Sequence, residues 1–74
     1  MEHVMDSVYK RLVSHFRTQE ETARALGVDQ STVSGWVRGV HRMSPAVAVR
    51  AERATGGAFT RQEMCPGFPW DSAA

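Results

Sequence analysis

The chain contains one cysteine, Cys65, in 74 residues. A lone cysteine excludes an internal disulfide framework and points to a reducing, cytosolic compartment. No apolar run approaches the ~18 residues that a membrane-spanning helix requires, so no membrane partner is expected. The first ten residues lack the basic start and apolar centre of a signal peptide. Charge of one sign is scarce too. Nine Lys and Arg stand against eight Asp and Glu, for a net charge of +1, which excludes a polycation that grips acidic polymers through bulk charge alone. His3, His15, His41 and Cys65 form neither C-x₂-C nor H-x₃₋₅-H spacing, so no metal or other cofactor is expected. Ser31, His41 and Asp29 supply the residue types of a hydrolytic triad. No nucleophile-elbow sequence surrounds Ser31, however, and so small a domain leaves little room for a closed active site; an enzyme is not expected.

What is present is an ordinary globular composition, with 42% hydrophobic and 23% charged residues. The length allows one domain, whose core must be thin: a chain this small buries only about 60% of the surface it exposes when unfolded. Charge is unevenly spread. Residues 1–28 balance four basic against four acidic side chains. Residues 29–53 carry Arg38, Arg42, Arg50 and Arg53 against Asp29 and Glu52, and residues 54–74 carry Arg61 against Glu63 and Asp71. The positive excess in the middle segment is small, and a solvated face would also produce it.

Local signals predict an all-α chain of four to five short helices. The first is expected to start at Asp6 as N-cap and run to about Phe16, with Val8, Leu12 and Phe16 recurring every four residues. Thr18 followed by Glu21 is a capping-box signature, in which hydroxyl and carboxylate each satisfy a free backbone N–H. Ala23 and Leu26 form the apolar face of that second helix, with Thr22 partly covered, and Gly27 stops it. Asp29 reads as the N-cap of a third helix ending near Arg38 before Gly39. Val40 to Met43 is a loop. Ser44-Pro45 places an N-cap before an N1 proline, and the fourth helix continues to about Thr55 with Ala48, Ala51 and Ala54 on one small-residue face. Gly56-Gly57 ends it. Thr60 to Glu63 repeats the capping box for a last short helical turn. Pro66, Gly67 and Pro69 then exclude regular structure, which divides the chain into a folded domain, 1–65, and an irregular tail, 66–74.

The segment "GVDQSTVSGWVRG", residues 27–39, follows a second helix after a turn of about three residues, so the two helices must cross steeply. With Gln19 as first position, Ala23 is fifth, Gly27 ninth, Val28 tenth, Val33 fifteenth and Trp36 eighteenth. The fifth position faces the partner helix at close range and must be small. The ninth needs a positive φ. The others pin the outer helix to the core. That pattern is a helix-turn-helix, and a plain αα-corner is the alternative that shares its local rules. Gln30, Ser31 and Ser34 are left facing outward with Arg38. In a helix-turn-helix the outer helix enters the major groove, where glutamine and serine offer the directed hydrogen bonds that base edges require. Gly35 is either a tolerated surface glycine or a bare Cα that lets the helix approach the bases. Phosphates are expected to be held by Thr18 and Gln19 at the start of the second helix, by Arg38, and by His41 and Arg42 in the following loop.

The stretch "TQEETARALGVDQSTVSGWVRG" with the later "SPAVAVRAERATGGAFTRQEM" resembles the Cro-type phage repressors, and among them the YdaS-like branch of antitoxins and Cro/CI-family regulators. The resemblance covers Thr18 to Met64. It implies the lambda-repressor-like DNA-binding fold and a transcriptional repressor acting as a homodimer on a short palindromic operator of double-stranded DNA, in a bacterial or phage-infected cell. Carried over by position, Gln30, Ser31 and Ser34 would read bases and Gln19 would hold phosphate. The chain departs from the branch at Cys65-Pro66-Gly67, where arginine-proline-aspartate is more usual, and at Arg17, where glycine is common. Phe59, Met64, Phe68 and Trp70 either cap the thin core or form the self-complementary patch of a dimer, weak without DNA. Phe59 suits the core better, and Phe68 with Trp70 suits the interface. The alternative function is an antitoxin-like module that holds a toxin, with DNA binding secondary. Such a module should present a more apolar outer face than Gln30, Ser31, Ser34 and Arg38 do.

Overall fold

The computed structural model describes residues 7–72, and within them the chain is all-helical. Helix α1 spans Val8–Phe16, α2 Gln19–Leu26, α3 Gln30–Arg38, α4 Pro45–Ala54 and α5 Arg61–Met64, and a 3₁₀ turn covers Trp70–Ser72. The helices start where short polar side chains can accept from the first free N–H groups. Ser7, Thr18, Ser44 and Thr60 each accept from the backbone N–H three residues on. Ser7 therefore caps α1, one residue later than expected; Asp6 lies outside the described residues. Among the described residues the full capping box forms only at Thr60, whose N–H is met by the Glu63 carboxylate. At α2 the Thr18 hydroxyl takes the Glu21 N–H at 3.0 Å, and only that half of the box is made. Asp29 occupies the N-cap of α3 in extended backbone but makes no side-chain capping bond.

Gly27 and Gly39 end α2 and α3 with φ of 69° and 77°. In both, the second residue past the helix donates back to a carbonyl one turn inside it. Val28 N–H reaches Ala23 O at 3.0 Å, and Val40 N–H reaches Gly35 O at 2.8 Å. This double closure, with its left-handed residue, is what glycine permits at small steric cost.

The core comprises Leu12, Ala23, Leu26, Val33, Trp36, Met43, Ala48, Ala51, Phe59 and Met64, all buried. It sits where α1, α3 and α4 close around α2. Two expectations about single faces fail. Ala54 is exposed, because the α4 face toward the core is narrow and ends at Ala51. Thr22 is fully buried, and its hydroxyl donates to Thr18 O at 2.8 Å, which removes the penalty of burying it. Met43, expected in an open loop, is drawn inside by Tyr9: the phenol oxygen accepts from Met43 N–H at 3.3 Å and donates to Met64 O at 3.2 Å. No described helix is long and apolar enough to cross a membrane.

Candidate nucleic-acid interface

Helices α2 and α3 pack directly on each other through a tight glycine turn. Ala23 faces α3 at 5% exposure, small enough to let the backbones approach. Val33 and Trp36 are buried behind α3, Val28 is half-buried beside them, and Tyr9 stacks on Trp36 with ring centroids 5.9 Å apart. The outer helix is thus held from behind by its own apolar stripe. A fourth element locks the turn. Arg50 on α4 extends its Nη1–H to Leu26 O at 2.8 Å, at the end of α2. Sequence reasoning missed this residue, since the signal is a tertiary contact across 24 positions.

Opposite the stripe, helical spacing places Ser31, Ser34, Gly35 and Arg38 on one outer face, with Gln30 at its leading edge. Gln30, Ser31 and Arg38 are exposed and Ser34 is half-buried. Arg38 lies back along this face: its Nε–H donates to Ser34 Oγ at 3.2 Å, one turn toward the N-terminus. The guanidinium therefore shares the surface with the serines rather than projecting from the far end of α3.

Gly35 differs from both readings of it. It is buried, though on the outer side of the helix, because the His41 ring covers it. A Cβ at residue 35 would fall inside the van der Waals envelope of His41 Nε2, Cε1 and Cδ2. The bare Cα is neither a tolerated surface glycine nor an open approach for bases; it is the seat of the imidazole. The closure of the α3 terminus by Val40 on Gly35 O turns the chain back and brings His41 there.

The residues expected to hold phosphates do not form one group. Thr18 and Gln19 stand at the start of α2, Thr18 exposed and Gln19 half-buried. Glu20 and Glu21 occupy the same first turn, and Glu20 pairs with Arg24 at 3.8 Å on the surface. These carboxylates take up the positive end of the α2 dipole. Arg17 precedes them, exposed, with φ 88° and ψ −46°, among the described residues the one non-glycine with a positive φ. That backbone accounts for a glycine being at home in this position. Arg42 is separated from His41: it borders a surface groove of about 350 Å³ together with Tyr9, Met43 and Phe68.

The four residues expected at a dimer interface also divide. Met64 is fully buried and Phe59 is 8% exposed, so both belong to the core of this chain and are unavailable to a second copy. They are buried because α5 folds back under α1, its Met64 carbonyl fixed by Tyr9. Trp70 packs on the core, with its Nε1–H donating to Cys65 O at 2.9 Å and Arg61 above its ring. Phe68 is half-buried against Trp70, ring centroids 4.5 Å apart.

Two short helices crossing through a glycine turn, with a pinned second helix that shows amides, hydroxyls and a guanidinium outward, define a helix-turn-helix protein. The chain belongs to the family described as bacterial toxin YdaS, whose model it matches over residues 10–73. The chain is also 63% identical over 67 residues to Regulatory protein cro of Pseudomonas phage D3, an alignment that covers 90% of this chain and 92% of the relative. No solved structure matches it.

Proposed function

We propose that the chain is a sequence-specific repressor that binds double-stranded DNA in the Cro manner, with α3 in the major groove, in the cytoplasm of a bacterial or phage-infected cell. The observation that carries this is the outer face of α3: Gln30, Ser31, Ser34 and Arg38 point away from a helix fixed from behind by Val33 and Trp36. A face rich in directed donors and acceptors, with one charge, suits base edges. Similarity to a phage regulatory protein supports the reading. The docking geometry invoked is the one known from Cro and related repressors themselves. Gln30, Ser31 and Ser34 would read bases, and Gln19 would hold a phosphate by neutral hydrogen bonds beside Glu20 and Glu21.

The antitoxin-like alternative needs an apolar docking face. The α3 surface is polar, and the apolar groove beside Tyr9 and Phe68 lies apart from it, so DNA takes precedence for α3. Enrichment of bound sites from a random duplex pool tests the proposal. The expected product is a short inverted repeat, its half-sites about one helical turn apart. A pool that never departs from random composition would overturn it.

A further inference from the structure

His41 was expected to touch phosphate or only solvent. The geometry points to a different role: His41 supplies, from the loop after α3, the groove-facing side chain that Gly35 lacks, and it reads a base edge. This rests on the DNA-binding reading of α3. Residue 35 stands on the outer face one turn after Ser31, beside Ser34 and Arg38. A side chain there would point into the groove. The chain has glycine instead, and the imidazole of His41 fills the vacated volume. The ring is oriented as well as placed. Its Nε2 lies 3.1 Å from Thr32 O, and a carbonyl oxygen only accepts, so Nε2 carries the hydrogen. The nitrogen committed to the helix is therefore Nε2, and the one left for a ligand is Nδ1.

In the neutral ring that nitrogen accepts a hydrogen bond. The donors that base pairs offer in the major groove are cytosine N4 and adenine N6. His41 should therefore favour an adenine or a cytosine at one position of each half-site, beside the bases met by Ser31 and Ser34. In that neutral form a phosphate has no hydrogen to give to Nδ1, so the placement favours a base over the backbone. Gly35 and His41 act as one unit: an added Cβ at residue 35 displaces the ring from the place it needs.

The test combines site enrichment from random duplex DNA with quantitative binding for the parent, Gly35→Ala, His41→Ala and the double variant. Thermal melts of each confirm folding, which an exposed loop change and an alanine within a helix should leave intact. Both single variants should lose preference at the same base pair, about tenfold against the parent. The double variant should lose no more than either, because the first change already removes the contact. Uniform weakening on all sequences, with a salt slope lower by about one, would make His41 a phosphate contact and overturn the proposal. So would a Gly35→Ala variant that keeps the parent's base preference. A parent that enriches no sequence defeats the DNA-binding reading itself. A parent that does, with a base-blind His41→Ala variant, defeats this assignment alone.

Discussion

Arg50 Nη1 donates to the carbonyl of Leu26 at 2.8 Å and lies against the bare Cα of Gly27. One side chain on α4 thereby caps the end of α2 and sets the corner from which α3 departs. A cation at a helix C-terminus also meets the negative end of the dipole. Arg50→Met keeps most of the stem and removes the donor. It should cost about 1 kcal/mol of stability, the usual net worth of such a bond. It should also weaken binding to the selected site, since the corner is less fixed. Urea unfolding gives the first number, and an unchanged midpoint would show that the contact does not support the turn.

Trp36 is 3% exposed behind α3 and stacked on Tyr9. Trp36→Ala removes the largest side chain that holds the recognition helix, at roughly 3–5 kcal/mol. Small domains hold little more than that in reserve. The variant should show no cooperative melt at room temperature by circular dichroism. A melt near the parent's would mean that α3 is held chiefly by Val33.

The sequence announces this architecture mainly at its helix ends. Thr18, Gly27, Gly39, Ser44-Pro45 and Thr60 act through atoms no more than a few residues away, so their effect is written locally. The buried set Ala23, Val33 and Trp36 is legible for a similar reason, since helical spacing fixes which side they share. What the sequence hides is whatever depends on contacts between distant segments. Thr22 is buried and Ala54, one turn past Ala51, is exposed. Met43 enters the core because Tyr9 reaches its N–H. His41 covers Gly35 because the chain doubles back after Gly39. Phe59 and Met64 fill the core because α5 folds under α1. The candidate site shows the same division: the polar face of α3 is readable, while Arg50, the His41 seat and the Arg38–Ser34 bond are not.

Arg17 adopts φ 88° while its side chain is exposed. Positive φ at a non-glycine residue stores of order 1–3 kcal/mol. Glycine releases that strain but costs roughly 0.5–1 kcal/mol through the freer unfolded chain. Arg17→Gly should therefore stabilise the domain by about 1 kcal/mol, read as a higher urea midpoint with unchanged slope. A loss of stability would show that the arginine side chain makes up for its backbone.

Gln30 stands at the leading edge of α3, exposed, in the first turn after Asp29. A glutamine there can pair bidentately with adenine N6 and N7. Gln30→Ala should remove about 1–3 kcal/mol of discrimination at one base pair and leave stability near the parent's. Competition between the selected site and its single-base variants measures this. A variant that ranks every site as the parent does would exclude Gln30 from base reading.

One recognition helix spans only a few base pairs, and a two-fold pair would place two in successive major grooves about 34 Å apart. Of the four apolar residues expected to join the copies, Phe59 and Met64 are in the core and Trp70 is tied to Cys65 O. Phe68 is left, half-exposed beside the groove that Tyr9 and Met43 line. Val40, at 65% exposure just past α3, is the most open large apolar side chain among the described residues. So small an apolar area gives a weak dimer in free solution, which DNA would assist by holding both copies on one face of the duplex. Sedimentation velocity should find a monomer-rich parent without DNA and two protomers on the selected site. Phe68→Asp leaves the core untouched and should shift that second binding step to about tenfold higher protein concentration, the effect of losing roughly 1.4 kcal/mol at the contact. One parent protomer per site at saturation would end the dimer proposal. Two protomers with Phe68→Asp unaffected would keep the dimer and move the contact to Val40 or to the outer face of α4.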